Sequence, residues 1–118
     1  MSTKIENNID GIVDYFTTMT KDTEIKAMVS RGPKESYLIG DGFKIKAKVP
    51  MIKAKSTIGA GDSMIAGFVT GKVLGYDEKD SFRLAISFGS SKCLEDGVTP
   101  PNKENIENLF DKIEVREL

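Results

Sequence analysis

The 118-residue chain has no histidine, no tryptophan and a single cysteine, and its 17 basic and 18 acidic side chains nearly cancel to a formal net charge of -1. Each shortage removes a class of function. Without histidine, and with Cys93 alone, the usual imidazole and thiolate metal sites are out of reach and no internal disulfide can form. No protein-held metal site is expected. A near-neutral chain exerts no global attraction on nucleic acid or an anionic membrane, and base-stacking aromatics are scarce. No apolar run approaches the roughly 20 residues that cross a bilayer. Residues 1–8 lack the apolar core of a secretory signal, so a soluble, cytoplasmic protein is expected. The length has room for one domain, spanning 1–118, and 39% hydrophobic with 30% charged residues is ordinary globular composition.

What is present predicts an α/β chain, with helices packed on a small, partly mixed sheet. Ile9, Ile12, Val13 and Phe16 fall at i, i+3, i+4 and i+7, so residues 8–20 read as an amphipathic helix. Residues 24–30 suit a short, mostly buried strand, which Gly32-Pro33 ends. Asp41-Gly42, between residues 37–40 and 43–49, is the strongest hairpin signal in the chain. In the second of those strands Phe43, Ile45, Ala47 and Val49 alternate with Lys44, Lys46 and Lys48. That pattern reads as solvated lysines on an edge strand in preference to a ligand-binding strip. Over residues 61–74, Met64, Ile65, Phe68, Val69 and Val73 build one apolar face, while Gly67 and Gly71 permit close approach to a neighbouring element. Asp77 is placed to cap a second helix carrying Phe82, Ala85, Ile86, Gly89 and Cys93, which Asp96-Gly97 ends. Asn102 caps a third, with Ile106, Leu109 and Phe110 inward. A last strand is expected over 112–117.

The chemistry concentrates in Thr57-Ile58-Gly59-Ala60-Gly61-Asp62-Ser63. Gly59 and Gly61 free the backbone to converge its amides on one small volume, and the helix that follows turns its positive dipole end toward the same place. A phosphoryl group or oxyanion suits such a turn. Asp62 stands where it can take a proton from an attacking hydroxyl; the plainer alternative makes it a cap or first-turn acid of an ordinary strand-to-helix turn. Thr57 and Ser63 either orient phosphate or cap the helix. Two other phosphate motifs fail. A dinucleotide fingerprint needs glycine where Met64 stands. The run from Gly67 to Lys72 is one residue short of a Walker loop and is followed by Val73 in place of a hydroxyl.

The stretch 55–68, with Thr57 to Ser63 at its centre, resembles the C-terminal signature of the PfkB, or ribokinase-like, carbohydrate kinases, most nearly the 1-phosphofructokinase and tagatose-6-phosphate kinase branch. The order of elements is similar from about residue 8 to 115. The resemblance implies the C-terminal part of a ribokinase-like fold, in which Asp62 is the base that deprotonates a sugar-phosphate hydroxyl. The amides of Gly59, Ala60 and Gly61 would form the anion hole for the transferring γ-phosphoryl of ATP, with Mg2+ as co-substrate ion. It implies further nucleotide contacts from Ser30 and Gly32, where Pro33 and Glu35 depart from the family pattern, and from Gly89 and Cys93. It also implies a hexose phosphate acceptor, fructose 1-phosphate first.

Complete kinases of this kind are more than twice as long, so the resemblance makes the missing N-terminal portion of the kinase a partner. The chain alone is expected to be inactive, with self-association or reduced stability. A non-catalytic nucleotide-binding or assembly module is the second reading.

Overall fold

The computed structural model describes residues 9–31, 35–48, 52–97 and 99–118. Along the chain run α1 (Ile9–Thr20), β1 (Ala27–Arg31), β2 (Glu35–Gly40), β3 (Phe43–Lys48), α2 (Ala60–Val73), α3 (Glu78–Cys93), α4 (Lys103–Phe110) and β4 (Glu114–Glu117). The strands lie side by side in sequence order, and every pairing is antiparallel. The mixed sheet expected from the sequence therefore has no parallel pair among the described residues. Connectivity explains this: β1, β2 and β3 follow one another through short links, whereas a parallel pair needs a crossover of a dozen residues or more. The one long crossover here carries α2, α3 and α4 and returns β4 antiparallel beside β3.

The hairpin forms as its sequence predicts, with Gly40 paired to Phe43 and Gly42 at φ 81°. Bare Cα geometry at Gly40 admits the Phe43 ring, since a Cβ there would fall 2.4 Å from it. β1 starts three residues later than expected and is half-buried, with Ile25 ahead of it 63% exposed. It borders the sheet and pairs only with β2 among the described strands. β3, expected at an edge, instead lies between β2 and β4. Its inward residues are Ile45 and Ala47, as the alternation requires, while Lys44 and Lys46 are half-buried and Lys48 exposed.

α3 supplies the centre of the core. Its Phe82, Ala85 and Ile86 cluster with Leu38, Ile45 and Ala47 of the sheet, joined by Phe68 and Ile113. Asp77 caps it by accepting from Asp80 N at 2.8 Å, and Asn102 caps α4 by accepting from Asn105 N at 3.1 Å. Arg83 reaches back from α3 to donate to Ile113 O at 3.2 Å, which seats the approach to β4.

α2 departs from its expected orientation. It buries Gly67, Phe68 and Gly71, whereas Ile65, Val69 and Val73 are 56%, 56% and 80% exposed. The glycines decide the matter by letting α2 press directly onto the backbone of α3. A Cβ at Gly67 would lie 2.8 Å from Leu84 O and 2.9 Å from Ala85 Cα.

Candidate active site

The turn before α2 is set by backbone. Lys55 N and Ser56 N both donate to Cys93 O, at 2.7 and 3.3 Å, so the end of α3 fixes where the segment enters. Ile58 N donates to Ser56 Oγ. Gly59 then takes φ 77° and ψ 5°, a left-handed conformation that glycine adopts without steric cost. Ala60 N donates to Thr57 O at 3.3 Å and Ser63 N to Gly59 O at 3.0 Å. The amides of Gly59, Gly61 and Asp62 have no hydrogen-bond partner among the described residues. First-turn helix amides are left without intrahelical acceptors by geometry. Here no side chain takes them either, for α2 has no side-chain cap. Thr57, Asp62 and Ser63 thus make no side-chain cap, while Asp62 does stand as the acid of the first turn, as its plainer alternative requires.

Asp62 is exposed and has no partner among the described residues. It lies three residues ahead of Ile65 and so shares the uncovered side of α2 with Ile65 and Val69. Whatever would shield those apolar residues would also enclose the carboxylate. One pocket among the described residues lies elsewhere, lined by Tyr76, Leu84, Ile106, Glu107, Phe110 and Asp111. None of the predicted site residues borders it.

The remaining candidates separate. Thr57 is exposed, whereas Ser63 is half-buried. Gly89 is buried against the start of α2, where a Cβ would fall 2.6 Å from Met64 Cγ and 3.3 Å from Ala60 O. Cys93 is half-buried and touches the site through its carbonyl; burial pushes its thiol pKa up, opposed by the adjacent Lys92 charge. Ser30, on β1, is exposed, with its Oγ 3.3 Å from Ser36 Oγ. Gly32 and Pro33 lie outside the described residues. Glu35, whose charge is unwelcome beside a triphosphate, is already engaged: it accepts from Tyr37 Oη at 2.7 Å and pairs with Lys46 at 3.0 Å.

One residue near the turn was not singled out from the sequence. Lys92 is only 7% exposed, donates from Nζ to Gly97 O at 2.7 Å, and has its Cε 3.3 Å from where a Cβ on Gly59 would stand. The signal was its position three residues after Gly89, on the packed side of α3.

Residues 1–105 match the family described as pfkB family carbohydrate kinase. The 1-phosphofructokinase of Bacillus subtilis is 31% identical over 111 residues, which cover 94% of this chain and 36% of that protein. The tagatose-6-phosphate kinase of Staphylococcus epidermidis is 26% identical over 131 residues, covering 98% and 42%. Phosphofructokinase-2 from Escherichia coli, solved with substrates and products, superposes with a TM-score of 0.80 over 89% of this chain and 34% of its own, at 20% identity, a likeness of fold. The chain therefore spans less than half the length of these proteins.

Proposed function

Because this chain belongs to the pfkB family of carbohydrate kinases, we propose that it is the C-terminal, nucleotide-side portion of an ATP-dependent sugar-phosphate kinase acting in the cytoplasm. The observation that carries the reading is the set of amides at Gly59, Gly61 and Asp62 that, among the described residues, have no partner, opening α2 beside a carboxylate that likewise has none there. Mg-ATP supplies the transferable γ-phosphoryl group. The chain's own part is to receive the developing charge on the amides of Gly59, Gly61 and Asp62, each such donor being worth roughly 3–4 kcal/mol, and to take the acceptor's proton on Asp62, worth about 10²–10⁴ in rate. The acceptor is a hydroxyl of a hexose monophosphate. Fructose 1-phosphate is favoured by the likeness to a 1-phosphofructokinase.

The whole of residues 1–118 acts as one domain, and it is inactive by itself because positioning of the acceptor needs a further portion of a kinase. That portion is its partner, and the open side of α2 is the surface it covers. Ile65, Val69 and Val73 are 56–80% exposed there, an apolar stripe that a soluble protein rarely leaves bare. Self-association through the same stripe is the outcome when no such portion is at hand.

The test is complementation. The isolated chain should not turn over fructose 1-phosphate with ATP. Mixed with the N-terminal two thirds of the Bacillus subtilis relative it should do so, and Asp62→Asn should abolish the gain. Turnover by the chain alone, or complementation indifferent to Asp62, would overturn the reading.

A non-catalytic module is the second reading, favoured by Glu35, which stands in place of the glycine that family resemblance implies and is locked to Tyr37 and Lys46. Calorimetric binding of Mg-ATP by the isolated chain, without turnover after complementation, would select it.

A further inference from the structure

Lys92 is the one lysine among the described residues that is buried, and it has no ion-pair partner there. A desolvated ammonium is costly unless its charge and its three donors are matched. Here one donor is used, toward Gly97 O at 2.7 Å. The side chain runs beneath the turn that opens α2: Cε, one bond from the ammonium, stands 3.3 Å from the position of a Cβ on Gly59. Gly59 is the residue whose left-handed φ shapes that turn, and its own amide and those of Gly61 and Asp62 have no partner among the described residues. A buried, under-satisfied cation thus adjoins donors that lack an acceptor.

We propose that Lys92 is a built-in cation for the 59–61 turn. Its ammonium fastens the Gly97 carbonyl to the underside of the turn and lends fixed positive charge to the anion that the amides receive. The inference rests on the phosphoryl-site reading for its anion, but not for its structural half. Lys92 is a positioning residue. It draws the turn and the 94–97 segment together from below, and an arriving phosphoryl group supplies the countercharge that the described residues otherwise leave unmet. Bulk alone would not explain its placement, since an apolar side chain of equal length fills the same space without cost.

The experiment uses the full 118-residue chain with Lys92→Met, which keeps length and removes charge, Lys92→Arg, which keeps charge, and Lys92→Ala, which removes both. Inorganic phosphate is titrated while the Gly59 and Gly61 amide signals are followed by NMR, and melting is recorded in ammonium, potassium or choline chloride at equal ionic strength. Lys92→Met should weaken phosphate binding about tenfold or more, on the order expected for one charge near a partly desolvated anion, whereas Lys92→Arg should retain most of it. Lys92→Ala should be stabilised by the small cations ammonium and potassium and not by choline, while the parent responds equally to all three. Equal phosphate affinity in parent and Lys92→Met, or no small-cation preference in Lys92→Ala, overturns the proposal. If the parent amides ignore phosphate, the phosphoryl-site reading fails instead, and the cation preference alone decides the role of Lys92. If Lys92→Ala does not fold, the melting comparison passes to Lys92→Met against Lys92→Arg, where equal stability overturns it.

Discussion

Gly71 of α2 sits so close to Ser81 of α3 that a Cβ on the glycine would lie 2.8 Å from both the Ser81 Cα and its Oγ. The contact is with backbone, so no rotamer change relieves it. Gly71→Ala should therefore separate the two helices and destabilise the chain by about 1–3 kcal/mol, the usual cost of overpacking. Gly67→Ala, against Leu84 O and Ala85 Cα, should behave alike. Urea titration measures both, and a stabilised Gly71→Ala chain would contradict the packing described.

Asp62 should separate function from stability. It is exposed and has no partner among the described residues, so Asp62→Asn should leave stability within about 0.5 kcal/mol of the parent. Turnover in the complemented enzyme should fall by at least about 10²–10⁴. A large shift in melting temperature would mean that the carboxylate has a structural role instead.

The open side of α2 leads to the opposite expectation for affinity. Val69→Ser with Val73→Lys removes apolar surface that is 56% and 80% exposed, so the isolated chain should lose little stability and associate less with itself. Its affinity for a complementing N-terminal portion should drop by tenfold or more. Light scattering and a complementation titration report the two effects, and unchanged affinity would place the partner elsewhere.

Cys93 supplies a chemical probe of the site. Its thiol pKa is raised by burial, with Lys92 acting against the rise, so less thiolate is present at neutral pH than in an exposed cysteine. Alkylation by iodoacetamide should be slower than for a cysteine peptide at pH 7.5 and accelerate as pH climbs. Because the folded pKa is the higher one, the group's contribution to stability is present below the unfolded pKa and fades as pH rises through the folded value. Lys92→Met removes the opposing charge and should slow alkylation further.

Much of the scaffold was legible in the sequence because local chemistry and global fold agree there. Asp41-Gly42, Asp77 and Asn102 each perform the turn or cap that their residue types favour. The outer side of α2 was not legible. Hydropathy assigns Ile65, Val69 and Val73 inward, but Gly67 and Gly71 bring the helix onto α3 by backbone contact, and glycine contributes almost nothing to a hydrophobic count. The position of β3 depended on a strand 66 residues away in sequence, Glu114 pairing with Lys48. No local periodicity encodes that. The engagement of Glu35 by Tyr37 and Lys46 follows from the β2–β3 register.

In the site itself the glycines and Asp62 stood out by spacing, whereas Lys92 did not. A lysine on a helix is counted as solvent-facing, and only the packing of α3 beneath the turn shows that its methylenes run inward.

The two bonds from Lys55 N and Ser56 N to Cys93 O involve no side-chain atom. Every residue except proline presents the same amide, and every residue the same carbonyl, so substitutions at 55, 56 and 93 can accumulate without shifting the approach to the turn. Placement of the reactive loop is thereby insulated from mutational drift at the three positions that hold it, and a proline at 55 or 56 is the change that would remove one of the two bonds.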